Sequence, residues 1–380
     1  MKTNFKHAII AATALLLGFS SCSNDDANAP QADDLPKKNV TVSIAVPSTY
    51  ADEASAVGVV PDIKEAKVFF VGGGVIAQVG TLTTLEVASG KTFNNVPGSV
   101  TDVIIVANSE TETTSPTLAS GSISEIVDYD PLSKLNETLF QQASQTDPQT
   151  NVNVFGQAAI TGSAGSYVAN VMLVPAISRI ELLKVEADPL AQIPLTSFKL
   201  TGIYINNTYT QLGTDYTTKP ISAASILNYG KSDAIWTNGS YPARFKDEFT
   251  GVTGTTSFTP ANRWAYYVLP VKVSVAGTTI DGVDQSAVPH IVLKIEDAFA
   301  VGHSLASPAY ITIKDLKVGG TPLTQLAAGK VYTLGVTGTG EGIKIGGENL
   351  SPYPETNATE SITVNCTVSP WSNQDVVPAF

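Results

Sequence analysis

From Asn39 to Val46, the apolar residues Val40, Val42, Ile44 and Val46 alternate with Thr41, Ser43 and Ala45, the period-two pattern of a strand with one buried face. Near the other end of the chain, Ser361 to Val368 repeats the pattern, with Ile362, Val364, Cys366 and Val368 alternating with Thr363, Asn365 and Thr367. Aligned without a gap, VTVSIAV and ITVNCTV carry apolar side chains at the same four positions. The first stretch reads as an edge strand with a distant twin. Either strand suits the same groove, and the pair predicts a chain built to exchange one for the other between molecules.

Between the twins the pattern stays short. Pro47 stops the first strand because it lacks a backbone N–H. Ser48 to Asp62 is a small, acidic loop open to proteases, with Ser48, Tyr50, Ala51, Ala54 and Val57 as candidate processing positions. A strand at Val68 to Val71 runs into Gly72, Gly73 and Gly74. Gly72, Gly74 and Ala77 fit the G-x-G-x-x-A dinucleotide fingerprint, but the following VIAQVGTLTTLEV, with Gly80 and many β-branched residues, predicts a hairpin and not the helix that fingerprint needs. Val100 to Ala107 is a continuous apolar strand buried on both faces. Asp130 and Pro131 cap a short helix carrying Leu132, Leu135 and Leu139 on one side.

A strand from Tyr167 leads to Pro175, where a domain boundary is expected, and Ile177 to Val185 starts the next run. Further runs lie at Phe198 to Asn206, Arg263 to Val275, His290 to Ile295, Ala309 to Leu316 and Val331 to Val336. Short strands without alternating long helices point to an all-β chain of two β-sandwich domains, 39–175 and 176–380, with few short helices. Gly335 to Gly347 holds six glycines, and Pro352 and Pro354 follow, so 337–380 reads as a flexible arm ending in the twin strand.

With 380 residues, 43% of them hydrophobic and 15% charged, the chain can bury two cores. Residues 1–21 form an export signal, with Lys2 and Lys6 ahead of an apolar run from Ala8 to Leu17 that is too short to span a membrane. Without it the formal charge moves from −12 to −14, because 34 acids then face 20 bases. That balance argues against a nucleic-acid partner. Ser20, Ser21 and Cys22 resemble a bacterial lipobox, which implies a lipid on the Cys22 thiol, a flexible tether over 22–38, and residence at the cell outer membrane. Cys366 is the second of two cysteines, so with Cys22 lipidated there is no internal disulfide.

Little in the sequence suggests catalysis. Outside the signal only His290 and His303 are histidines, no G-x-S-x-G elbow occurs, and no cofactor or metal set is expected. Asp128 and Asp130 form a lone D-x-D without the rest of a calcium loop. Trp236, Trp264 and Trp371 would make a sugar platform if exposed, the basis for an alternative reading as a monomeric glycan-binding surface lipoprotein.

The order of the motifs resembles the FimA-type fimbrillins, which form type V pili of the Bacteroidales: a lipobox at Cys22, NVTVSIAV, an acidic loop, EAKVFFVGG, TDVIIVANS, VPAISRIELLKV, RWAYYVLPV, AGKVYTLGV and a last strand ending VSPW. The resemblance implies two transthyretin-like β-sandwich domains, removal of the first strand by proteolysis, and a head-to-tail polymer with other copies of the chain. It maps the donor onto Ile362 to Phe380, with Ile362, Val364, Cys366, Val368 and Trp371 as donor residues entering the place of Val40, Val42, Ile44 and Val46. Such subunits are cut after an Arg or Lys that follows the first strand, whereas here no basic residue lies between Asn39 and Ile63. An uncleaved anchor or terminator subunit is therefore the other reading within that family.

Overall fold

The computed structural model describes residues 36–45, 51–52, 55–58, 63, 65–108, 123–136, 139–141, 153–163, 165–209, 211–213, 226–227, 236, 241–242, 245–248, 256–258, 264–270, 279–280, 283–284, 289–318, 320–323, 326–334, 342–355 and 362–370. The first half contributes β1 (Lys38–Ala45), β2 (Ala51–Asp52), β3 (Ser55–Gly58), β4 (Glu65–Gly72), β5 (Val75–Thr83) and β6 (Lys91–Val96). It continues with β7 (Asp102–Ala107), β8 (Leu139–Gln141), β9 (Val154–Ala159), β10 (Thr161–Ser163), β11 (Ser166–Met172) and β12 (Val174–Pro175). The second half opens with β13 (Ser178–Leu182), β14 (Val185–Ala187), β15 (Ser197–Asn206), β16 (Thr208–Tyr209), β17 (Gln211–Gly213) and β18 (Ile226–Leu227). Then come β19 (Lys246–Glu248), β20 (Ser257–Phe258), β21 (Trp264–Val268), β22 (Thr279–Ile280), β23 (Val283–Asp284) and β24 (His290–Phe299). The chain closes with β25 (Ala309–Val318), β26 (Thr321–Pro322), β27 (Lys330–Leu334), β28 (Ile343–Ile345) and β29 (Ile362–Pro370). Two short helices, α1 (Thr84–Ser89) and α2 (Leu132–Asn136), interrupt the strands. The fold is an all-β sandwich.

In the first half a four-stranded sheet, β10-β11-β1-β6, faces a five-stranded sheet, β12-β9-β7-β4-β5. Between them lies one apolar core that takes Val40, Val42, Phe93, Ala169 and Val171 from one sheet and Val68, Phe70, Val103 and Ile105 from the other. β7 is buried from Val103 to Ala107 on both faces, as its unbroken apolar run requires. The Gly72 stretch is a hairpin: Gly73 and Gly74 take φ of 60° and 80°, the two positive values of the turn that matches strand twist, and β5 follows directly. α1 starts in a capping box, Thr83 accepting from the Glu86 N–H while the Glu86 carboxylate accepts from the Thr83 N–H. α2 is shorter than its leucines suggest. Leu135 is fully buried, but the helix ends at Asn136 and Leu139 instead opens β8, which pairs with β17.

The second half follows one long path, β19-β15-β24-β25-β29-β27-β13-β21, with β26 on β25. The path folds back on itself, so that Ile203, Leu293 and Ile311 share a core with Ile180, Tyr266 and Leu334. Its two ends meet where the Tyr266 hydroxyl donates to Asp247 Oδ2 at 2.6 Å. The chain leaves the first pair of sheets at Pro175 and enters the second at Ser178. Around this crossing, Tyr209, Tyr267, Leu269 and Val331 pack into the core of the first half, and the Gly329 N–H donates to the Ile177 carbonyl at 2.8 Å.

Candidate functional site

The groove around β1 is the candidate site. β1 is not an edge strand. It lies inside its sheet, parallel to β11 (Val40 opposite Tyr167, Ala45 opposite Met172) and antiparallel to β6 (Val40 opposite Phe93, Val42 opposite Lys91). The edge reading fails because the strands flanking β1 come from distant parts of the sequence, where local pattern carries no information on order. The alternation itself holds: Val40 and Val42 are fully buried, Ile44 packs partly against the same core, and Thr41 and Ser43 lie on the other face. Val46 lies outside the described residues.

Phe93 forms one wall of the groove, its ring edge-on to Phe70 of the facing sheet at 5.0 Å. Gly80 makes that close approach possible, since a Cβ there would run into the Phe93 ring. The other wall is Ala169 and Val171 of β11. On the outer face, the Thr41 and Thr92 hydroxyls meet at 2.9 Å and Asn39 Oδ1 accepts from the Asn95 N–H at 3.3 Å. At the start of the strand, Lys38 Nζ donates to the Val100 carbonyl at 2.5 Å and sits 5.1 Å from the Tyr167 ring centroid. Burial lowers its pKa from the ordinary lysine value. At the far end the Ala45 carbonyl accepts from the Leu173 N–H at 2.9 Å. Val40 and Val42 together contribute about 3 to 6 kcal/mol of apolar burial. Taking β1 away would open an apolar slot between β6 and β11 with unpaired main-chain groups on both sides.

β29 carries Ile362, Val364, Cys366 and Val368. Ile362 to Asn365 pair in parallel with β25, and Cys366 to Pro370 pair antiparallel with β27. The strand thus changes partner midway, and among the described residues each half has one paired neighbour. The positions registered against Ile362, Val364, Cys366 and Val368 are Ile313, Leu316, Leu334 and Tyr332, all buried in the second core. Trp371 lies outside the described residues.

The approach to β29 is far less free than its glycines suggest. β28 pairs in parallel with β14, and Ile343 and Ile345 are buried. Glu348 accepts from the N–H groups of Gln192 and Ile193 at 2.9 and 3.0 Å. Thr312 Oγ1 donates to the Pro354 carbonyl, and Glu355 Oε1 meets Asn206 Nδ2 at 2.7 Å and His290 Nδ1 at 3.2 Å, with Lys314 on its other oxygen. Burial pushes the Glu355 pKa up, but the His290 hydrogen bond and charge, Asn206 and Lys314 outweigh it and hold the carboxyl below its ordinary range.

The remaining sequence candidates separate. Of the processing positions, Ala51 and Val57 fall in the β2–β3 hairpin, while Ser48, Tyr50 and Ala54, like Cys22 and the export signal, lie outside the described residues. Asp128 Oδ1 accepts from the Val79 N–H at 2.7 Å and Asp130 Oδ2 pairs with Lys134, so both carboxylates act in local structure. Trp236 is fully buried, edge-on to Tyr204 at 5.2 Å, and is no sugar platform. Trp264 stacks on Phe258 at 4.9 Å, and Trp371 is not described.

One buried polar group escaped the sequence reading. Arg179 Nε donates to Glu181 Oε1 at 2.9 Å and its Nη1 to the Tyr267 hydroxyl, while Thr333 Oγ1 donates to Glu181 Oε2 at 3.3 Å. The cluster ties β13 to both its neighbours, β21 and β27. Its signal was an Arg and a Glu two residues apart, hence on one face of a strand, inside the apolar run ISRIELL.

No family model and no curated protein matches the chain. Solved structures do. A candidate cell adhesion protein from Parabacteroides distasonis is similar over 89% of this chain and 100% of its own, at 13% identity and a TM-score of 0.51. A candidate cell adhesion protein from Bacteroides eggerthii (15% identity, 89% and 97% of the two chains, TM-score 0.47) and a fimbrilin from Porphyromonas gingivalis (13%, 87% and 97%, 0.48) are also similar. At these identities the likeness extends to the fold.

Proposed function

We propose that the chain is a structural, non-catalytic subunit of a cell-surface pilus, exported as a lipoprotein through Cys22 and polymerised when β29 of one copy takes the place of β1 in the next. The observation that carries this reading is pairing polarity: β1 and β29 each run parallel to one neighbour and antiparallel to the other. β1 meets both ladders along the same residues, and β29 meets the parallel one over Ile362 to Asn365 and the antiparallel one over Cys366 to Pro370, so a β29 seated between β6 and β11 would add a second ladder to each of its halves. The exchange also has a driving force. Among the described residues β29 has one ladder along each of its segments, whereas the slot left by β1 would offer a ladder on both sides. Each copy then gives a strand at one end and takes one at the other, a heterologous contact that extends into a filament.

The two halves act as separate transthyretin-like domains, 39–175 accepting and 176–380 donating. The partners are other copies of the chain and related subunits, and the place is the outer cell surface, where the fold it shares with a candidate adhesion protein supports a part in adhesion. The anchor reading has its own support: no Lys or Arg lies between Asn39 and Ile63, and Lys38 is engaged by the Val100 carbonyl.

A reversible lock tests the exchange. Thr333 and Thr367 are registered partners on β27 and β29, so Thr333→Cys with Thr367→Cys would hold the donor strand at home. Filaments should be absent while the bond is oxidised and form once it is reduced. Equal assembly in both states would sink the idea.

A further inference from the structure

Along Lys38–Ala45 the twin strand keeps the chemistry of β1 everywhere but at its first position. In the ungapped alignment Val40, Val42 and Ile44 correspond to Ile362, Val364 and Cys366, and Ser43 corresponds to Asn365. Thr41, whose hydroxyl meets that of Thr92 at 2.9 Å, corresponds to Thr363. Asn39, which accepts from the Asn95 N–H, corresponds to Ser361, whose hydroxyl oxygen is also an acceptor. One step earlier Lys38 corresponds to Glu360, so a cation is replaced by an anion.

The surroundings of Lys38 suit a cation. Its Nζ donates to the Val100 carbonyl at 2.5 Å and to the Gly98 carbonyl at 3.5 Å, and lies 5.1 Å from the centroid of the Tyr167 ring. Two carbonyl oxygens and the face of an aromatic ring all present negative potential. This cradle is held by contacts that do not involve Lys38. The Val100 N–H donates to the Pro97 carbonyl at 3.1 Å and the Thr101 N–H to the Val71 carbonyl at 2.9 Å, while a Cβ on Gly72 would run into the Ser99 carbonyl, so the 97–100 turn is packed tightly on the end of β4. A carboxylate only accepts hydrogen bonds. Glu360 placed here would find no donor among these three groups and would be repelled by each.

We propose that this cradle makes the slot prefer its own β1 over an arriving β29, with Lys38 as the residue that decides between them. The proposal rests on the strand-exchange reading and adds a control to it. Before any cut, the covalent link already favours β1 through its high effective concentration. After the cut Lys38 still favours β1, because its contact is the one that β29 does not reproduce. Cutting alone therefore does not empty the slot, and β29 enters only as the Lys38 contact is given up.

The test uses the full chain with a specific protease site inserted between Asp52 and Ser55, cut after folding, and synthetic peptides spanning 356–380. Three peptides are compared: the native sequence, Glu360→Lys, and Thr359→Lys/Glu360→Gln. The last has the same net charge as the second but carries its ammonium on the opposite face of an extended strand. The reading is the peptide concentration that displaces half of the β1 fragment. Glu360→Lys should act at a concentration at least tenfold below both other peptides, the worth of one charge-assisted hydrogen bond. The native peptide should likewise displace β1 at a concentration tenfold lower from a cut Lys38→Met chain than from the cut wild type. Equal displacement by Glu360→Lys and its charge-matched control overturns the role of the cradle while leaving strand exchange standing. A cut chain that captures none of the three peptides overturns strand exchange, and the preference falls with it.

Discussion

Val42→Ala separates the unassembled chain from the filament. Val42 is fully buried, with Ala169 and Lys91 as its registered neighbours, and the substitution removes two carbons from the core. At roughly 0.8 kcal/mol for each buried carbon, the transfer loss is about 1.6 kcal/mol. The small neighbour Ala169 leaves little to collapse into the space, so the cavity term brings the total to about 2 to 3 kcal/mol. With a urea dependence of about 2 kcal/mol per molar, the unfolding transition of the first half should move down by about 1 M. Fluorescence or circular dichroism of the unprocessed chain in urea reads this shift. If another strand takes the slot and Val42 leaves with β1, filaments assembled from the same variant should resist urea as wild-type filaments do. Filaments weakened by the same amount as the monomer would mean that β1 stays in place, and the exchange reasoning would be refuted.

Two further substitutions probe the supports of the site. Arg179→Leu removes the buried ion pair to Glu181 and should cost about 3 to 5 kcal/mol in urea unfolding, with most of the loss recovered in Arg179→Leu/Glu181→Leu; a double variant no better than the single would contradict the pairing. Glu355→Gln should speed hydrogen exchange across 351–355 at neutral pH. The folded pKa of Glu355 lies below its ordinary 4.5, so its contribution is present above that value and fades as pH falls through the lowered one. The difference between variant and wild type should vanish on acidification, and a difference constant with pH would refute it.

The period-two stretches were legible because their alternation reports burial directly: Val40 and Val42 in β1, and the unbroken run of β7, met the cores the pattern called for. What pattern could not supply was neighbourhood. β1 reads the same at an edge or inside a sheet, and its interior position depends on β6 and on β11, which follows about 120 residues later. Glycine content misled at Gly342 to Gly347 because glycine serves flexibility and close packing alike. Here Gly347 is buried against Ile193, and the brief alternation Ile343, Lys344, Ile345 was the true signal of β28. Leu139 followed the helix spacing of Leu132 and Leu135, but pairing with β17 decided its fate, a contact that no local count anticipates. Trp236 could not be placed from sequence, since whether an indole is buried depends on Tyr204 and Tyr241 packing against it.

The central claim is that β1 leaves and a foreign strand replaces it, and mass determination of the first residue of the chain in assembled filaments tests it most directly. The account predicts an amino terminus between Ser48 and Lys64, with no β1 peptide remaining after the filaments are washed. Filaments in which every chain still begins at lipidated Cys22, or at Lys38 with β1 intact, would contradict it.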